Sequence, residues 1–131
     1  MIPRSVARRR AVPTITPRPP EVYECGRLRI NFDTYEVFLD DRDVHLSLCD
    51  FALLRFFVRA ERRVYTRAQI VQRVWAPDTH VAPRTVDSHV HRLRLQLERD
   101  PGQPDLFVTV RGVGYRFDDR ALTNDPAARE P

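Results

Sequence analysis

Arg84-Thr85-Val86-Asp87-Ser88-His89-Val90-His91-Arg92-Leu93-Arg94-Leu95-Gln96-Leu97-Glu98-Arg99 is the most informative segment of this chain. With residues about 100° apart around a helix axis, Val86, Val90, Leu93 and Leu97 fall in one narrow stripe, a core face. Across from it lie Thr85, Ser88, His89, Arg92, Gln96 and Arg99, a polar face with no acid in it; Asp87 and Glu98 sit on its flank. A helix over about 83–99 is predicted, stopped by Asp100-Pro101-Gly102. An α-helix fits the major groove of DNA, where arginine can bond two acceptors of guanine and Ser or Thr can take phosphate or base contacts. A polar outer face is also what any solvated helix shows, so periodicity alone does not assign it.

The flanking segments narrow the choice. Downstream, Leu106-Phe107-Val108-Thr109-Val110 alternates, Arg111-Gly112-Val113-Gly114 turns, and Tyr115-Arg116-Phe117 returns, which predicts a β-hairpin over about 107–117. Its glycines permit positive φ, so the tip can approach another molecule closely, and Arg111 is placed to enter a minor groove. Upstream, Thr66-Arg67-Ala68-Gln69 is a capping box opening a helix whose inner face is Ile70, Val71, Val74 and Trp75. Trp75 is expected as a core anchor. Ser47-Leu48-Cys49-Asp50 has the same form with a short acid third, and opens Phe51–Val58, apolar nearly all round and expected as a central core helix. Before it, Arg27–Phe32, Glu36–Leu39 and Val44–Leu46 alternate with turn residues, and Asp40-Asp41 supplies a tight turn. They predict a small antiparallel sheet that must pack on the helices.

The net charge of +4 is misleading. Residues 1–20 hold five arginines, five prolines and no acid, and are expected to be a disordered basic arm, either a tether to phosphates or a linker. The remaining residues hold 17 arginines against 18 acids, so the globular part is near neutral. Positive charge concentrates in its second half, and local field rather than total charge steers a polyanion. Residues 120–131 are expected to be a flexible tail, leaving 21–119 as one domain.

Other classes of function fit poorly. His89 and His91 are two residues apart, so their imidazoles diverge by about 200° on a helix and cannot share a metal. Cys25 and Cys49 match no metal-ligand spacing and are expected to be reduced. No phosphate-binding glycine loop, nucleophile elbow or paired carboxylates in a credible pocket is present. Neither enzyme nor cofactor is expected. No apolar run approaches the roughly 18–20 residues of a membrane span, which predicts a soluble, cytoplasmic protein.

These residues resemble the C-terminal effector domain of bacterial OmpR/PhoB-type response regulators. The likeness rests on Leu46-Ser47, Phe51-x-Leu53-Leu54, Thr66-Arg67-x-Gln69-Ile70 through Val74-Trp75, and Arg84-Thr85-Val86-Asp87-x-His89-Val90. It continues with Arg92-Leu93-Arg94-x-x-Leu97-Glu98 and Val110-Arg111-Gly112-Val113-Gly114-Tyr115-Arg116-Phe117. The resemblance implies an α+β winged helix-turn-helix: an N-terminal antiparallel sheet of four strands, three helices and a C-terminal hairpin wing. It implies a transcriptional regulator that binds double-stranded DNA, with Arg84, Thr85, Ser88, His89, Arg92 and Arg94 facing the major groove and Thr109 and Arg111 on the wing. It further implies a homodimer on tandem direct repeats, and contact with RNA polymerase through the Trp75–Pro83 loop.

Three features depart from the family pattern. His91 stands where relatives carry a basic residue on a phosphate, so that contact is expected to be weaker or pH-dependent. Leu95 lies off the core stripe where relatives are often charged. Relatives normally carry an N-terminal phosphoacceptor domain, and the short arm here predicts either a stand-alone regulator or a fragment. The rival reading is a protein-interaction module docking on polymerase or another regulator through Leu95 and the Trp75–Pro83 loop. An RNA binder fits less well, because A-form RNA hides its major groove from a helix.

Overall fold

The computed structural model describes residues 21–123. The proposed arm over 1–20 lies outside the described residues, as does the tail from 124. Four short strands, β1 (Val22–Cys25), β2 (Leu28–Asn31), β3 (Glu36–Leu39) and β4 (Arg42–Val44), form an antiparallel sheet in chain order. Asp40 and Asp41 join β3 to β4 with φ of 52° and 64°, the two successive positive values of a two-residue hairpin turn. Alternation along β2 and β3 buries Leu28, Ile30, Val37 and Leu39 on one face, which closes over the helices.

Helix α1 (Leu48–Val58) is capped by Ser47, whose hydroxyl accepts the Asp50 amide hydrogen. It supplies Phe51, Leu53, Leu54 and Phe57 to the core. The expectation of burial nearly all round is too strong, because Ala52, Arg55, Phe56 and Arg59 keep a partly open side. A two-residue strand β5 (Tyr65–Thr66) leads into α2 (Arg67–Val74), where both halves of the Thr66–Gln69 capping box are made. Helix α3 (Thr85–Leu97) follows, with its predicted stripe Val86, Val90, Leu93 and Leu97 fully buried.

The C-terminal hairpin is β6 (Phe107–Val110) and β7 (Gly114–Phe117). Strand β7 pairs with β6 on one side and β5 on the other, so the hairpin is tied to the start of α2. The C-terminal end of α3 holds the root of the hairpin through a buried acid. The Glu98 carboxylate accepts hydrogen bonds from the amides of Asp105, Leu106 and Phe107 at 2.7–3.1 Å. Burial pushes its carboxyl above the usual range, against the opposing pull of those amides.

The expected flexible tail departs from the structure at its start. Arg120–Thr123 forms a one-turn helix, α4, that buries Ala121 and Leu122 against the sheet. Gly26 permits this approach: a Cβ there would stand 2.1 Å from the Leu122 carbonyl oxygen. Arg27 completes the joint, donating to the Leu97 carbonyl at 3.1 Å from the sheet side. No helix among the described residues is long and apolar enough to cross a membrane.

Candidate nucleic-acid interface

The predicted reading residues fall into two groups once the fold places them. Arg84, Ser88 and His91 are exposed along α3, Thr85 is half-buried at its first turn, and Arg111 is exposed at the hairpin tip. Among the described residues neither Arg84 nor Arg111 has a carboxylate within ion-pairing distance. These side chains are open to an outside partner. Gly112 lies beside Arg111 with φ of 79°, which lets the turn stay tight at the tip.

The second group is engaged inside the protein. Arg94 donates to the Phe107 carbonyl at 2.7 Å and to the Thr109 hydroxyl at 2.8 Å, so these two expected DNA contacts are spent partly on each other. They lock β6 against α3. Asp87 plays the matching role for β7. It accepts from the Tyr115 hydroxyl and from Arg67 Nε at 2.7 Å, linking α3, β7 and the start of α2. Burial alone would raise the Asp87 pKa, but the Tyr115 and Arg67 bonds outweigh it and hold the carboxyl below its usual value.

His89 and Arg92 change the picture most. The sequence places both on an outer face without an acid, yet an acid reaches that face from another helix. Asp50 on α1 is buried, and its Oδ1 lies 2.6 Å from His89 Nδ1 while its Oδ2 accepts from Arg92 Nε at 3.0 Å. The His89 side chain is only 13% exposed and packs its ring against Trp75, at 5.4 Å between centroids. Arg92 is half exposed, so it keeps one edge toward solvent while Asp50 holds the other. The acid-free reading of this face is therefore corrected: the acid that reaches His89 and Arg92 comes from α1, as Asp50.

Hydrogen placement follows from the chemistry of the partners. A carboxylate only accepts, so Nδ1 of His89 carries the hydrogen that points at Asp50. Arg92 Nη2 also stands 2.6 Å from that nitrogen, which makes this a close approach of two donors rather than a bond. Nε2 faces Cys49 Sγ at 3.8 Å. Burial and the Asp50 charge push the Cys49 thiol up, so it stays protonated. For Asp50, burial raises the pKa, but hydrogen bonds from Arg92 and His89 overcome it and the net shift is downward.

Sequence reasoning missed Asp50, Arg67 and Tyr115 as parts of this surface. The local sequence presents Asp50 as the acid of a capping box, whereas its backbone serves the cap and its side chain goes elsewhere. Trp75 is half-buried, packed on the core and tilted over His89. No group of three or more His, Cys, Asp or Glu among the described residues is placed to hold a metal ion.

A helix-turn-helix of α2 and α3, backed by α1 and flanked by a basic-tipped hairpin, defines a winged-helix domain. The chain belongs to the family described as "Transcriptional regulatory protein, C terminal", whose model matches residues 41–117, the OmpR/PhoB type of effector domain. It is 38% identical over 118 residues to the "Probable transcriptional regulator ycf27" of Cyanophora paradoxa, covering 87% of this chain and 49% of that protein. It is 39% identical over 97 residues to the "Sensory transduction protein RegX3" of Mycolicibacterium smegmatis, covering 74% and 42%. The chain thus spans about half the length or less of these curated relatives.

Solved structures agree on the fold. The response regulator DrrB of Thermotoga maritima, described as an OmpR/PhoB homolog, superposes with a TM-score of 0.67 at 34% identity, covering 73% of this chain and 43% of that one. The DNA-binding domain of AdeR, solved with an intercistronic region, gives 0.62 at 32% identity, covering 75% and 98%. The DNA-binding domain of Klebsiella pneumoniae RstA, solved with the RstA box, gives 0.68 at 26%, covering 76% and 98%.

Proposed function

We propose that this domain binds double-stranded DNA at specific sequences, with α3 in the major groove and the β6–β7 wing against the adjacent minor groove. The observation that carries the reading is the pair of uncommitted arginines, Arg84 at the start of α3 and Arg111 at the wing tip, on either side of a polar helix face. The AdeR and RstA domains, similar in fold and covered almost completely by this chain, are described in complexes with DNA. Arg84, Thr85, Ser88, His91 and the free edge of Arg92 form the reading face. His89, Arg94 and Thr109 act mainly by holding that face and the wing in position.

Selection of bound sites from random duplex DNA tests the reading, and reports sequence, half-site spacing and repeat orientation together. A homodimer on tandem direct repeats predicts two half-sites in the same orientation. Arg84→Ala and Arg92→Ala should each cost about 1–3 kcal/mol on the selected site and relax preference at one base pair. Arg111→Ala should weaken binding and reduce any preference for A·T pairs beside the major-groove site. Footprints and affinities unchanged in all three variants would remove the groove assignment.

The arm over 1–20 is proposed as an electrostatic tether. Its deletion should reduce the dependence of log K on log salt while leaving the selected sequence unaltered, because five arginines contribute counterion release rather than base contacts. A changed sequence preference would show that the arm reads bases. Contact with RNA polymerase through the Trp75–Pro83 loop, exposed over 76–80, is proposed as the downstream step. Transcription from a target promoter by loop variants that keep full DNA affinity tests it.

A further inference from the structure

The open side of α1 carries a second surface. Ala52 and Phe56 of α1 and Val74 of α2 form the floor of a groove of about 290 Å³, and Arg55, Arg59 and Arg73 stand around it. Arg59 is paired with Glu21 at 3.0 Å. Arg55 and Arg73 have no carboxylate within ion-pairing distance among the described residues; each lies over an aromatic ring, Phe51 and Tyr65 respectively. Arg62 and Arg63, both exposed, follow exposed Glu61 in the turn after α1.

This positive charge does not belong to the reading face. At about 100° per residue, Arg55 and Arg59 project some 140–180° around α1 from Asp50, whose carboxylate grips α3. On α1, the groove therefore lies on the side away from α3. A groove of about 290 Å³ has room for one or two apolar side chains. Arginine and aromatic side chains are enriched among the groups that anchor protein interfaces, and guanidinium selects carboxylate with two parallel bonds.

We propose that the α1–α2 groove docks an acidic segment of a partner protein, which seats an apolar side chain on Phe56 and Val74 and sets carboxylates against Arg55 and Arg73. This surface works independently of DNA reading, so its failure would leave the DNA assignment standing. The probe is a short fluorescein-labelled helical peptide with leucines on one face and glutamates flanking them, titrated against the full chain by anisotropy.

Saturable binding is expected. Exchange of the peptide's glutamates for glutamine, or Arg55→Glu with Arg73→Glu in the protein, should weaken it about tenfold or more. Affinity for the selected duplex should stay unchanged in the double variant. Amide chemical shifts of the wild-type chain, free of any folding effect of substitution, should move with added peptide at Ala52, Arg55, Phe56 and Arg73. Absence of saturation, shifts centred elsewhere, or equal binding by the glutamine peptide would overturn the proposal. Loss of duplex affinity in a folded double variant would do the same, and would make the groove a nucleic-acid surface.

Discussion

Gly114→Ala is expected to destabilise the domain by about 3–5 kcal/mol, a large fraction of the 5–15 kcal/mol that hold a small domain together. A Cβ at this position would stand 2.0 Å from the Tyr65 carbonyl oxygen and 2.8 Å from Thr66 Cα. Both are backbone atoms, so no side-chain rotation relieves the clash. The β5–β7 register pairs Thr66 with Gly114, and Thr66 is also the cap of α2. Making room thus separates the wing from the helix-turn-helix or shifts the start of α2. Gly112→Ala is the control: its φ of 79° strains any side chain, but a Cβ there meets nothing within 4 Å. That change should cost only about 1–2 kcal/mol. Urea unfolding midpoints separate the two, and equal losses would mean that close backbone approach at Gly114 is unimportant.

The same strand pair shows what a sequence can and cannot carry. The stripe of α3 was legible because burial repeats with the helical period, and all four of its members are buried. The Thr66 capping box and the Asp40-Asp41 turn were legible because each is a local chemical signature. Strand β5 was not, since two residues have no period and one of them is a helix cap. Helix α4 escaped for the opposite reason. Its four residues gain order from burial of Leu122 against Gly26, a contact spanning most of the chain. In the candidate interface, periodicity gave the angle of each α3 side chain around its own axis. It carried nothing about groups arriving from α1 or β6, and those groups decide which of the outer residues are free. Arg94 bonds to Phe107 and His89 to Asp50 through contacts 13 and 39 residues apart.

Asp50→Ala should therefore lower discrimination between the selected site and other duplexes by about tenfold or more, although Asp50 itself touches no DNA in the proposed complex. With the carboxylate gone, Arg92 loses the acceptor that fixes its Nε edge and samples more rotamers before it meets a base. His89, nearly enclosed, loses the partner of its Nδ1–H. Leaving that donor unpaired should cost about 1–3 kcal/mol of stability, whereas half-exposed Arg92 can turn to water and adds little. Removing a negative charge behind the reading face should keep nonspecific, salt-sensitive affinity at least as high as before. Specific and nonspecific Kd values must therefore be measured together across salt concentrations. Asp50→Glu keeps an acceptor and should restore part of the discrimination, while Asp50→Asn, which keeps shape but not charge, should fall between. Acid offers an independent check. The Asp50 pKa is depressed in the folded state, so its contribution is fully present above the ordinary carboxylate value near pH 4 and is lost as pH falls through the folded-state value. Neutral solutions keep the clamp closed. Full discrimination in a folded Asp50→Ala variant would show that Arg92 is positioned by the duplex rather than by α1.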